Sequence, residues 1–181
     1  MRVDSFVQLF SAAKCLASRY RPVGRRLAIV TNGGGPGVLA ADWVSQIRLE
    51  LGSLTDEQAA ALRPQVPALA ALSDLIDISE EATPEQYRAA VLAAAQARQI
   101  DGILAIYSPK YGMDGGAVAM ALADLKPTLG KPLLTCWMGD ASVTDARSIF
   151  SEAAIPTFRT PEAAVGAFGN IASFYRNQQL L

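Results

Sequence analysis

The chain reads as an α/β protein on a flavodoxin-like open parallel sheet of about five strands, ordered 2-1-3-4-5, with helices on both faces in three layers. Three observations carry that expectation. Apolar runs of strand length alternate with helix-length stretches. Several of those stretches open on recognisable cap sequences. The run Leu27 to Val30 breaks into a glycine cluster and then into good helix formers, the strand-turn-helix step of a parallel sheet.

In chain order, residues 4–20 place Phe6, Leu9, Phe10, Ala13, Leu16 and Ala17 on one helical stripe, expected to pack against something, and Arg21-Pro22-Val23-Gly24 ends it. The first strand spans 26–31, and a helix follows the glycine turn over 36–47. A short second strand falls at 48–52, where Leu49 and Leu51 alternate with Arg48 and Glu50. Thr55-Asp56-Glu57-Gln58 and Thr83-Pro84-Glu85-Gln86 fit the capping box, and Thr160-Pro161-Glu162 opens the last helix in a similar way. Between the first two lies 64–82, with Pro64 and Pro67, read as a long irregular connection. Further strands fall at 100–107, 132–137 and 155–158. The organisation expected is an N-terminal helix and lead-in over 1–24 and one flavodoxin-like domain over 25–181.

Composition bounds the function classes. With 181 residues, 51% hydrophobic and 18% charged, one folded domain with a sizeable core is expected. A net charge of -1 supplies no field for nucleic acid or an anionic membrane, so any anion site must be local. No apolar run approaches the ~20 residues of a membrane span, and the opening Met-Arg-Val-Asp-Ser-Phe lacks a signal-peptide pattern. Cys15 and Cys136 suit free buried thiols in a reducing, cytoplasmic setting. The absence of histidine removes Ser-His-Asp and Cys-His catalysis and any histidine metal site, and no catalytic or metal-ligating residue is assigned.

The strongest chemical signal is the turn after the first strand, with Asn32, Gly33, Gly34, Gly35 and Gly37 as candidate phosphate-binding residues. A helix start exposes amide N–H groups that point one way, glycine lets a ligand approach them, and the helix dipole adds about half a positive charge. The pattern is neither a Walker P-loop nor the dinucleotide fingerprint. From spacing alone, a turn whose glycines serve packing is an equal reading. In the expected topology strand order reverses between strands one and three, which brings Asn32–Gly37 beside Ser108–Gly116. Asp77, Ser108 and Lys110 are candidate supports there, though a solvated loop residue explains Asp77 equally and Lys110 more simply. Trp137 reads as packing. A receiver domain of similar fold is excluded, because Val30-Thr31-Asn32 and Ile106-Tyr107-Ser108 lack its acids.

The run Thr31-Asn32-Gly33-Gly34-Gly35-Pro36-Gly37-Val38-Leu39-Ala40-Ala41-Asp42 resembles the ligase-type CoA domain of nucleoside-diphosphate-forming acyl-CoA synthetases, such as ADP-forming acetate-CoA ligase. The same domain type corresponds to the carboxyl-terminal domain of the succinyl-CoA synthetase beta subunit, and it occurs in large bacterial protein lysine acetyltransferases. Pro156 to Ala164 and Tyr175-Arg176-Asn177-Gln178 support the resemblance. It implies a domain inactive alone, whose helix start receives a phosphohistidine carried by a partner domain. It also implies no tightly held cofactor here, with CoA and ATP or ADP bound by the complete enzyme. The implied partners are CoA-binding, histidine-bearing and ATP-grasp domains, and a homo-oligomer stays open. One departure stands out: the usual Asn-Pro is absent from Ser73-Asp74-Leu75-Ile76-Asp77, although the aspartate is kept. The alternatives are a non-catalytic sensing or structural module of an acetyltransferase, and a free-standing binding protein.

Overall fold

The computed structural model describes residues 6–18, 24–110 and 112–179. Elements run α1 (Phe6–Ala17), β1 (Arg26–Thr31), α2 (Gly34–Gln46), β2 (Glu50–Leu51), α3 (Asp56–Leu62), β3 (Ala71–Leu72), β4 (Ile76–Asp77), α4 (Pro84–Gln96), β5 (Gly102–Tyr107), α5 (Gly115–Leu125), β6 (Leu133–Trp137), α6 (Thr144–Glu152), β7 (Thr157–Phe158) and α7 (Pro161–Gln179). Most of the sheet is parallel and its order is β3-β4-β1-β5-β6-β7, with β2 also paired to β1. The five expected strands are β1, β2, β5, β6 and β7, and they stand in the expected order.

The departure is the 64–82 connection, which holds the antiparallel pair β3–β4 instead of being wholly irregular. Strand β2 pairs with β1 at Arg26 and Leu27, and β4 pairs with it at Val30 and Thr31, so two short strands share one edge of β1 end to end. This register sets Asp77 level with Thr31, next to the glycine turn.

Strand period divides the core in two. Ala28, Val30, Ile103, Ala105, Tyr107, Leu133 and Trp137 meet α3–α6 on one face. Leu27, Ile29, Leu104, Ile106, Leu134 and Cys136 meet α2 and α7 on the other. Both faces are covered, which is why the strands read as continuous apolar runs.

Helix starts follow their cap residues. Thr55 and Thr83 form complete capping boxes with Gln58 and Gln86, and Thr160 Oγ1 accepts from the amide of Ala163 at 3.3 Å. The first helix departs from its predicted face. Phe6 (80% exposed), Leu9 and Phe10 point outward, while Ala12 and Cys15 are buried where α1 packs on α7. Small side chains allow that close approach, and the larger ones are left on the outer face. The predicted stop at Arg21-Pro22-Val23 lies outside the described residues. Among the described residues, no helix is long and apolar enough to cross a membrane.

Candidate functional site

The site is built at the carboxyl edge of the sheet, where β1 and β5 end side by side. Asn32 is 1% exposed. Its Oδ1 accepts from the Ser108 amide at 2.7 Å, and its Nδ2 donates to the Ser108 carbonyl at 2.9 Å. Asn32 therefore ties the two loops together, and its amide has little left to offer a ligand. The Tyr87 hydroxyl donates to Ile106 O at 2.9 Å below this tie, and burial pushes its phenol well above the ordinary range. Tyr107 stacks on Trp137 at 5.2 Å, and Trp137 meets Phe150 edge-on at 4.6 Å, so an aromatic layer supports the loops from one face. Trp137 is fully buried and donates to Gly115 O at 3.1 Å, which agrees with its reading as packing.

The helix start itself is uncapped by any side chain. Thr31 Oγ1 accepts from the Gly33 amide at 3.0 Å and donates to Gly33 O at 2.9 Å, which closes the turn upon itself. The Gly37 amide donates to Gly33 O within the helix. Pro36 has no N–H. The donors left at the tip belong to Gly34 and Gly35, both exposed. Of the other turn residues, Asn32 spends its side-chain donor on Ser108, Gly33 spends its amide within the turn, and Gly37 is turned to packing. It is buried, and a Cβ there would lie 2.9 Å from Thr31 Cγ2, so it serves helix-strand packing.

A hollow of about 380 Å³ opens over this tip, lined by Asn32, Gly33, Gly34, Gly35, Asp77, Ser108 and Lys110 among others. Asp77, Ser108 and Lys110 thus lie at the turn. Asp77 accepts from the Ser79 amide at 3.0 Å, and its Oδ2 lies 3.3 Å from where a Cβ on Gly34 would sit. Lys110 is paired with Glu80 at 2.7 Å, and that hydrogen bond and charge hold the Glu80 carboxyl below its usual range. Glu80 and Leu69, which also line the hollow, were missed in the sequence; both come from the 64–82 stretch and lack a local pattern. Tyr111 of the second loop lies outside the described residues. A larger groove of about 580 Å³ lies between α2 and α7, beside Trp43 and Arg48, and holds none of the expected site residues.

Two carboxylates and one ammonium face the hollow, so basic side chains do not make it an anion trap. Its offer is mixed: two amide donors with the positive end of a helix dipole, and a hydrogen-bond acceptor in Asp77 beside them. Neither thiol lines it, and burial pushes both Cys15 and Cys136 up to about 12.

A family model, the Ligase-CoA domain, matches residues 27–181. The chain belongs to that family. The ADP-forming acetate–CoA ligase I of Archaeoglobus fulgidus is 30% identical over 174 residues, covering 96% of this chain and 24% of that protein. The alpha subunit of ADP-forming acetate–CoA ligase II of Pyrococcus furiosus is 30% identical over 154 residues, covering 81% of this chain and 33% of that subunit. The crystal structure of PH0766 from Pyrococcus horikoshii superposes with a TM-score of 0.90 at 27% identity, over 97% of this chain and 41% of that one. The dinucleotide-forming acetyl-coenzyme A synthetase 1 of Ca. Korarchaeum cryptofilum, solved with phosphate and ADP, gives a TM-score of 0.87 at 26% identity, over 99% of this chain and 40% of that one. This Ligase-CoA chain spans about a quarter to a third of the length of those two curated relatives.

Proposed function

We propose that this Ligase-CoA domain receives the phosphorylated histidine of a partner domain in an ADP-forming acyl-CoA synthetase and is inactive alone. The observation that carries the reading is the uncapped start of α2 with the Asp77 carboxylate beside it. A phosphorylated imidazole presents anionic oxygens, and in its protonated, imidazolium form it presents one ring N–H beside them. The Gly34 and Gly35 amides suit the oxygens, and Asp77 suits the N–H, as carboxylates orient histidine elsewhere. Phosphoryl transfer depends chiefly on positioning and electrostatic stabilisation, so a fixed pair of donors is a useful contribution. In this reading CoA and the nucleotide are held by other domains.

The rim of the hollow supports a partner domain. Leu69 (79% exposed) lines it, and Val38 and Leu39 lie half-exposed on the second turn of α2. Exposed apolar side chains around a polar centre are a mark of a docking face. The relatives that share this domain are named as ADP-forming ligases, which favours this reading over an acetyltransferase module.

The test is a residue-resolved amide titration of the chain with inorganic phosphate, comparing wild type, Gly35→Ala and Gly35→Glu. A Cβ at Gly35 meets nothing within 4 Å, so both variants keep the fold. The expected result is saturable shifts at Gly34 and residue 35 in wild type and Gly35→Ala, and a loss of about tenfold or more in affinity for Gly35→Glu. Equal responses in all three would remove the phosphoryl cradle.

A further inference from the structure

A second hollow of about 380 Å³ lies at the same sheet edge but at its far side, between α1, α6 and the end of β7. Three cations from separate elements line it: Lys14 from α1, Arg147 from α6 and Arg159 after β7. Among the described residues, Asp140 is the one carboxylate in its wall. Asp140 is 85% exposed, 3.4 Å from Arg159 and 4.0 Å from Arg147, the latter beyond hydrogen-bond reach.

Arg147 is the unusual member. Its side chain is 16% exposed, and one terminal nitrogen donates to Trp137 O and Gly139 O, each at 2.7 Å. Its Nε has no partner. Neither does Thr157 Oγ1, in a residue that is 9% exposed. Among the described residues these are the two buried side-chain polar atoms without a hydrogen bond, and both residues line this one hollow. Buried polar atoms are nearly always paired, and a buried guanidinium N–H left without an acceptor is costly. Two such atoms beside an excess of positive charge is a coincidence that calls for one explanation.

We propose that this hollow is a second oxyanion site that takes a phosphate group, free or as a monoester on a larger molecule. Lys14 already donates to Thr157 O at 3.0 Å, which leaves two of its three N–H groups for a ligand. Arg159, exposed at 74% of its side chain, has its remaining donors at the mouth. Cations approaching from three elements suit a tetrahedral group with oxygens on several sides better than a flat carboxylate. Small movements of Arg147 and Thr157 then bring Nε and Oγ1 to ligand oxygens. The inference does not depend on the glycine turn, whose residues are separate from these.

The experiment is an amide titration of the full chain with inorganic phosphate and with glycerol 2-phosphate, against sodium chloride at matched ionic strength. Expected are saturable shifts at Ser148, Thr157 and Arg159. Lys14→Ala and Arg159→Ala each remove one charged contact from an exposed position, and each should weaken binding about tenfold with the wild-type amide dispersion kept. Binding of phosphate alone assigns the site to the free ion, and binding of both compounds assigns it to a phosphate carried on a larger molecule. Shifts that sodium chloride reproduces, or an affinity unchanged in both variants, overturn the proposal. Shifts at Gly34 and Gly35 report the other site, so either reading can fail without the other.

Discussion

Two glycine-bearing turns meet at one edge of the sheet, yet they are finished differently. The turn from β5 into α5 is sealed: Asp114 accepts from the amides of Gly116 at 2.8 Å and Ala117 at 3.1 Å. The turn from β1 into α2 has no side-chain cap, and its cap position is Gly33. Glycine also serves different ends in the two. A Cβ at Gly115 would lie 2.8 Å from Tyr107 Cε1, whereas one at Gly35 would meet nothing within 4 Å. Glycine in the sealed turn answers to packing, and at Gly35 it answers to access. A glycine-rich turn is therefore a poor sign of a binding site until its donors have been accounted for.

Substitutions put that contrast to the test. The largest effect is expected from Asn32→Asp, which turns a donor at the Ser108 carbonyl into an acceptor and buries a charge; the loss should be about 3 kcal/mol in chemical denaturation. Gly115→Ala comes next, at about 1–3 kcal/mol from overpacking against Tyr107, while Gly35→Ala should stay within about 0.5 kcal/mol of wild type. Equal costs at Gly115 and Gly35 would erase the distinction between packing and access. Asp114→Ala should cost about 0.5–2 kcal/mol through the lost cap and leave the phosphate response at Gly34 unchanged.

The smallest effect concerns Glu80. Lys110 lowers its carboxyl in the folded state, so the pair's contribution is present above the unfolded value of about 4.3 and fades as pH falls through the lower folded value. The thermal midpoints of wild type and Glu80→Gln should accordingly converge on acidification. A gap that persists in acid would mean that the pair is not its cause. At neutral pH the substitution frees Lys110 and should tighten phosphate binding at most about fivefold, as expected of an exposed pair.

Much of the fold was legible because its signals are local. Thr83-Pro84-Glu85-Gln86 needs no distant partner to be read as a helix start, and Leu27 to Val30 announces a strand buried on both faces. The β3–β4 pair was not legible, since each strand is two residues long and shows no alternation. The first helix was misjudged because counting large apolar residues favours Phe6 and Phe10, while close packing on α7 selects Ala12 and Cys15. At the site, the turn itself was visible, but the task of Asn32 depends on Ser108, 76 residues away, which no local pattern encodes. Glu80 and Leu69 escaped for a related reason, as only the register of β4 on β1 carries them there.

The amide of Asn32 reaches Ser108 with one acceptor and one donor, the same pair of bonds that a backbone peptide unit would offer a neighbouring strand. In effect a side chain supplies the last rung of the ladder after the main chain of β1 has already turned away. The end of β1 and the start of the Ser108 loop are therefore fastened to one another beside the tip of α2.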